Sequence, residues 1–344
     1  MKKTIILLLC MLFLTACNKK EDPVIEKPPV INREDSQELL SYGNTLVNIN
    51  GDIKAVETKE YVYYVYQKTT ILRVSREDPT DVQLIYNNNQ EITNIVYYDK
   101  IIFFIEKDDE HTKAQLARLD LTTKEKEVFF PVDSFDNILV LHEEKLYYVN
   151  EDSFMERCDL FGKETRLFGL TLIIHPAFDG AYFYGAGYEA TASDDRIRIF
   201  KTDIASDTTT VFYEQTLATQ IVPNPYGFVI FENIGAQYNF FVLDLDGAIV
   251  EEHETYLSHP FTKVVKGNYY GAYAEENTYY QYNPETKELI IVTSTDENFA
   301  AWKIYALGTP TEEFVLFETN DNQLYYYDYF TKEIIVIYPA EVAK

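Results

Sequence analysis

Five histidines, three cysteines and 56 acidic side chains are the groups in this chain able to hold a metal, attack a substrate or move a proton. His111, His142, His175, His253 and His259 are scattered, with no His-x-x-x-His or Glu-x-x-His pairing, so the usual spacing of zinc ligands is missing. Asp244-Leu245-Asp246-Gly247 has the acid density of a calcium loop, but its glycine comes too early and no glutamate stands at the distal position. A hairpin turn accounts for it better. There is no Gly-x-Ser-x-Gly elbow, no phosphate-cradling glycine loop and no dinucleotide fingerprint. Carboxylate pairs are too numerous for any one to nominate a glycosidase dyad. The residues therefore predict no catalytic constellation, no metal site and no cofactor.

The cysteine with a chemical assignment is Cys17. Lys2 and Lys3 precede a nearly unbroken apolar run over residues 5–14, which is too short for a bilayer core of ~30 Å and reads as the core of a cleavable signal peptide. Its end, Leu14-Thr15-Ala16-Cys17, resembles the bacterial lipobox. That resemblance implies diacylglyceryl transfer to the Cys17 sulfur, cleavage before it and acylation of the new amine. Several chains together hold a protein stably where one holds it weakly. Residues 18–33 are charged and carry Pro23, Pro28 and Pro29, as a semi-extended tether does. The expected organisation is a signal peptide over 1–16, the lipidated cysteine and tether over 17–42 and a folded domain over 43–344. The expected location is the outward face of a membrane, reached through lipid on Cys17. Asn18, in place of an aspartate, favours the outer membrane if the cell has two. Abundant Lys, Asn, Ile and Tyr suggest an AT-rich genome and leave a single-membrane cell open.

Of the other cysteines, Cys10 leaves with the signal and Cys158 remains alone in a strand-like segment, where it reads as a small packed residue. The net charge is −26, and loss of Lys2 and Lys3 takes two positive charges away to give −28 on side chains. So acidic a body repels phosphate backbones, so no nucleic-acid partner is expected. The 29 tyrosines and 22 phenylalanines suit half-buried strands.

Those aromatics recur. Apolar runs such as Tyr61-Val62-Tyr63-Tyr64-Val65, Ile101-Ile102-Phe103-Phe104-Ile105 and Leu146-Tyr147-Tyr148-Val149 are each followed by an alternating strand that closes on a polar residue. These closing residues are Ser75, Asp120, Asp159, Asp203, Asp244, Asn283 and Asp328, at intervals of 45, 39, 44, 41, 39 and 45. A repeat of ~40–45 residues made of four short strands is the size of a propeller blade. The fold predicted is all-β, a single β-propeller of seven four-stranded blades, with six or eight if a terminal unit is misread. In the second unit the strands fall at 92–96, 101–105, 115–120 and 126–130. Residues 45–49 are a candidate strand for pairing with the last blade.

Gly43-Asn44-Thr45-Leu46-Val47-Asn48, Tyr63-Tyr64 with Leu72-Arg73, Leu116-Ala117-Arg118-Leu119-Asp120 and Asp246-Gly247 carry a resemblance. It is to bacterial lipoprotein repeats grouped as a domain of unknown function and likened to the lipoprotein-receptor type of propeller. The resemblance covers most of 43–339 and implies the fold, but no established chemistry.

In such a ring the connections from second to third strand emerge together, and here they are acidic. Glu106-Lys107-Asp108-Asp109-Glu110, Glu151-Asp152, Glu189 with Asp194-Asp195, Glu232, Glu275-Glu276 and Glu318 with Asp321 are assigned to them. The longest, 185–196, has glycines that would let it move and Tyr188 to stack on a ligand. Asp108, Asp109, Tyr188, Asp194, Asp195, Glu275 and Glu276 are the candidate binding residues. The function expected is a non-enzymatic binding or scaffolding module for an envelope or extracellular protein, peptide or glycan. The alternative is an envelope carbohydrate- or peptide-processing enzyme with carboxylates at the channel mouth.

Overall fold

A computed structural model of the chain describes residues 54–337, except 109, 111, 134–137, 173, 189–196, 215–217, 225–226, 235–236, 258–262, 266–267, 273–278, 293–308, 311–313, 319–322 and 329–330. The signal segment, Cys17, the tether and the candidate strand at 45–49 lie outside the described residues.

Alternating and doubly apolar runs of five to eight residues become strands throughout, because β-branched and aromatic side chains pack well on a pleated surface. Blade 1 comprises β1 (Ala55–Glu57), β2 (Tyr61–Tyr66), β3 (Thr70–Ser75) and β4 (Val82–Asn87). Blade 2 has β5 (Glu91–Tyr98), β6 (Ile101–Lys107), β7 (Ala114–Asp120) and β8 (Lys126–Val132). Blade 3 has β9 (Leu139–His142), β10 (Lys145–Val149), β11 (Phe154–Asp159) and β12 (Arg166–Leu172). Blade 4 has β13 (Ile174–Phe178), β14 (Tyr182–Tyr188), β15 (Ile197–Asp203) and β16 (Thr208–Tyr213). Blade 5 has β17 (Ala218–Asn224), β18 (Gly227–Ile234), β19 (Gln237–Leu243) and β20 (Ile249–Leu257). Blade 6 has β21 (Lys263–Val265), β22 (Asn268–Ala272), β23 (Tyr279–Asn283) and β24 (Glu288–Val292). Blade 7 has β25 (Thr309–Pro310), β26 (Phe314–Glu318), β27 (Leu324–Asp328) and β28 (Ile334–Ile337). Each blade is an antiparallel meander of four consecutive strands, and the seven form a ring: a seven-bladed β-propeller.

The second strand of each blade is apolar on both faces because both faces are covered. One face of blade 1 packs Tyr63, Val65 and Ile71 against Ile95, Ile102 and Phe104 of blade 2. Its other face packs Val62, Tyr64 and Leu72 against Phe314, Leu316 and Tyr326 of blade 7, which closes the ring. Aromatic pairs bridge further seams: Phe130 on Tyr148 at 5.0 Å between blades 2 and 3, Tyr147 on Phe183 at 5.2 Å between 3 and 4, and Tyr184 on Phe228 at 4.8 Å between 4 and 5. Tyr270 of blade 6 lies near Tyr327 of blade 7, and burial together with that neighbour drives its phenol well above its usual range.

The seven periodic polar residues prove to be turn caps. Asp120 Oδ1 accepts the Thr122 and Thr123 amides, Asp159 Oδ1 those of Phe161 and Lys163, and Asp244 Oδ1 those of Asp246 and Ala248. Asp203 accepts from Ser206, Asn283 from Glu285 and Thr286, Asp328 from Thr331, and the Ser75 hydroxyl oxygen from Asp78. A short side-chain acceptor that reaches amides two to four residues on starts a turn without any help from the rest of the fold. The period seen in the sequence is thus the period of the outer hairpins. Asp244-Leu245-Asp246-Gly247 is one of them, with Gly247 at φ +87°.

Gly227 opens β18 at φ +151°, and a Cβ there would overlap the carbonyl oxygen of Leu243 on the neighbouring strand. Gly227→Ala is expected to destabilise the protein by more than about 1 kcal/mol in urea titration.

Candidate functional site

In a meander ring, the connections from second to third strand share one end with the crossings between blades, and the first-to-second and third-to-fourth turns share the other. The second end is built alike in every blade by the capped turns. The first end varies: the second and third strands are joined by residues 67–69 in blade 1 but by 189–196 in blade 4.

Of the seven candidate binding residues, the structure describes the side chain of Asp108. Its carboxylate is engaged within its own connection. Asp108 Oδ1 accepts the Thr112 amide at 2.7 Å and the Lys113 amide at 3.2 Å, and Oδ2 accepts the Thr112 hydroxyl at 2.9 Å. Against a desolvation that works the other way, these donors hold its carboxyl below the usual carboxylate range. Asp108 therefore shapes its own loop. Tyr188 is not in the loop: β14 extends through it, with Gly185, Gly187 and Tyr188 opposite Phe200, Arg198 and Ile197. The glycines expected to give mobility are buried inside the sheet. Asp109, Asp194, Asp195, Glu275 and Glu276 lie outside the described residues.

Three acids assigned to these connections belong to strands instead. Glu106 is in β6 and 1% exposed, Glu232 is in β18 and 5% exposed, and Glu318 ends β26. The apolar run was read as stopping where the strand does, but the strand runs on through the first polar residue because that residue is also covered.

Glu106 is the most fully bonded of them. Its Oε1 accepts the Tyr86 phenol at 3.0 Å and the Asn88 amide at 2.8 Å. Its Oε2 accepts Gln115 Nε2 at 3.0 Å and the Lys126 ammonium at 2.8 Å. Desolvation pushes its pKa up, but Lys126, Asn88 and Gln115 more than offset that, so the group lies below its ordinary value and stays charged. Tyr86 comes from blade 1, so the carboxylate also fastens a seam. The same device recurs: Tyr64 donates to Glu318 at 3.0 Å across blades 1 and 7, Tyr98 to Glu144 at 2.6 Å across 2 and 3, and Tyr282 to Glu251 at 2.8 Å across 6 and 5. Glu251 also meets His253 at 3.1 Å and Lys287 at 2.9 Å. These tyrosine–carboxylate bonds gave no signal in the sequence, because their partners stand 20 to 254 residues apart.

Two of the histidines, His253 and His142, pack on aromatic rings. His253 stacks on Phe240 at 4.4 Å, and His142 meets Phe178 edge-on at 5.8 Å. Cys158 is buried in the seam between blades 2 and 3, where desolvation pushes its thiol up to about 12 and leaves it protonated and inert. Among the described residues, no group of three or more His, Cys, Asp or Glu comes together in a way that would hold a metal ion.

No family model and no curated protein matches the chain. Solved structures do. A structure from a study of two prolyl endopeptidases superposes with a TM-score of 0.57 at 11% identity, over 90% of this chain and 55% of that one. The tricorn protease gives 0.50 at 8% identity, over 85% of this chain and 35% of that one. The WD40 β-propeller domain of Doa1 gives 0.45 at 13% identity, over 88% and 97%. The chain thus spans about half of the endopeptidase and about a third of the tricorn protease. At these identities the likeness is one of fold.

Removing Lys126 would leave the buried Glu106 charge without its cation. Lys126→Met is expected to cost on the order of 3 kcal/mol at neutral pH by denaturant titration. Because the folded pKa of Glu106 is depressed, its contribution is full above the unfolded value of about 4.3 and is lost as the pH falls through the folded one. The gap between wild type and Lys126→Met should therefore narrow on acidification in that window; a gap independent of pH would refute the assignment.

Proposed function

We propose that the chain is an exported lipoprotein, held by lipid on Cys17 to the outward face of a membrane, whose propeller serves as a non-enzymatic binding module for an envelope or extracellular protein, peptide or glycan. The observation that carries this reading is the contrast between the two ends of the ring. One end is fixed by capped turns that recur in every blade, and the other offers connections that differ in length, of which residues 108–113, 150–153, 189–196 and 273–278 each carry two or more carboxylates. A scaffold with one invariant and one variable end suits recognition, since loops on a rigid frame can vary without disturbing the core. The seam acids support the same reading, because the buried Glu106 and the partly buried Glu251 and Glu318 are engaged in holding blades together. The lipobox-like Leu14-Thr15-Ala16-Cys17 and the proline-bearing tether supply the anchor. In a cell with two membranes, Asn18 directs the protein to the outer one.

Cells fed labelled palmitate should incorporate it into the wild-type protein, and Cys17→Ala should abolish the label and free the protein from the membrane fraction. Retained label would end the lipoprotein reading. For the binding end, Asp109, Asp194, Asp195, Glu275 and Glu276 are changed together to their amides while Asp108 is kept for its loop. The partner crosslinked to the wild type in cells should then be lost; undiminished crosslinking would remove these acids from the interface.

A further inference from the structure

The repeat allows one buried carboxylate to be compared with another at the same place. Glu106 of β6 lies opposite Gln115, and four residues earlier Ile102 lies opposite Leu119. Glu232 of β18 lies opposite Asn239, and four residues earlier Phe228 lies opposite Leu243. The two glutamates therefore occupy one position of the blade. A tyrosine near the end of the preceding blade's outer strand accompanies each: Tyr86 in β4 and Tyr213 in β16.

Their surroundings differ in one respect. Leu119 is paired with Lys126, whose ammonium reaches Glu106. Leu243 is paired with Ile249, which is 48% exposed and carries no charge. Among the described residues no donor reaches Glu232. Its Oε1 is buried and accepts no hydrogen bond, although the side chain belongs to a residue only 5% exposed. The charged neighbour it has is Glu252 of β20, of its own sign. Burial first, and then Glu252, raise the Glu232 carboxyl above its ordinary value. Burial, Glu232 and Glu252 together push the Tyr213 phenol up to about 12.

A buried, unpaired carboxylate costs several kcal/mol unless it is neutralised or given a partner. Blade 2 shows which partner this position accepts. We propose that Glu232 and Glu252 form a site for a primary ammonium group from outside the chain, bound where blade 2 places the ammonium of Lys126. Glu232 supplies the buried acceptor, as Glu106 does for Lys126, and Glu252 adds a second negative charge where blade 2 has none. The site lies toward the variable end of the ring, on the seam between blades 4 and 5. It rests on residues of the fold alone and stands whether or not Cys17 is lipidated.

The test uses the full chain with Cys17→Ala, followed by thermal unfolding at constant ionic strength. Methylammonium chloride and a tetralysine peptide represent a free amine and a polypeptide source; tetramethylammonium, which has the charge but no N–H donor, is the control. Methylammonium or tetralysine at saturation should raise the Tm by about 2 °C or more, and tetramethylammonium should not. The stronger of the two identifies the source. The rise should vanish in Glu232→Gln, and Ile249→Lys, which supplies the missing ammonium from within, should raise the Tm of the unliganded chain and abolish the response. Both variants keep the size of the side chain near that of a neighbour in the repeat, and Glu252→Gln provides a third that alters no buried group. No rise with either amine, an equal rise with tetramethylammonium or an undiminished rise in Glu232→Gln would each overturn the proposal.

Discussion

A short four-stranded sheet with apolar side chains on both faces has no stable place in water until both faces are covered. Every blade here has that character, most plainly in its second strand, where Tyr63 and Tyr64, Phe103 and Phe104, or Tyr147 and Tyr148 send successive aromatic rings to opposite sides. Stacking the sheets solves the problem for all but the outermost two, and bending the stack into a ring solves it for those as well. The seam of Val62, Tyr64, Phe314 and Leu316 between the first and last blades is the contact that completes the circle. No exchange of strands is seen there: among the described residues, blades 1 and 7 each take all four strands from consecutive sequence.

This constraint accounts for the unusual composition. A ring packed from aromatic side chains needs wide, flat groups, and tyrosine provides them with a hydroxyl that must be bonded when buried. Carboxylates accept those hydroxyls at the seams, as Glu318 does for Tyr64 and Glu251 does for Tyr282. Many tyrosines and many acids thus belong to one design, and part of the large negative charge is structural. The phenols pay the usual cost in acidity: burial first and the neighbouring carboxylate second hold Tyr86 and Tyr282 above their ordinary range.

The parts of the fold legible in the sequence were those with local causes. The polar residue that ends each third strand caps its own turn, so Asp120, Asp159 and the rest could be counted along the chain. The four strands of blade 2 were likewise readable, because β5 to β8 contain the apolar runs and extend them by no more than two residues at any end. What depends on neighbours was not readable. Glu106 and Glu232 looked like the first residues of solvated loops, and only the packing of adjacent blades shows that both are covered. Tyr188 was assigned to a loop because glycines flank it, whereas pairing with Ile197 and Phe200 keeps that stretch in β14. Asp108 shows in turn that an acid expected at a binding rim can be committed to its own backbone, which a pattern of charge does not reveal.

The outer turns also reveal where their rigidity comes from. Lys124, Asp207, Lys287 and Lys332 take left-handed backbone angles at φ +64°, +57°, +60° and +57°, where glycine would be the easier choice. Each follows a capping Asp or Asn by four residues, so the side-chain acceptor, and not an absence of side chain, holds the bend. Asp120 and Asp203 do so as carboxylates whose amide donors lower their pKa, while Asn283 does so without a charge. Strong acid would accordingly loosen the hairpins unevenly around the circle, with Ser75 in the first blade and Asn283 in the sixth keeping their acceptors after the carboxylate caps are protonated.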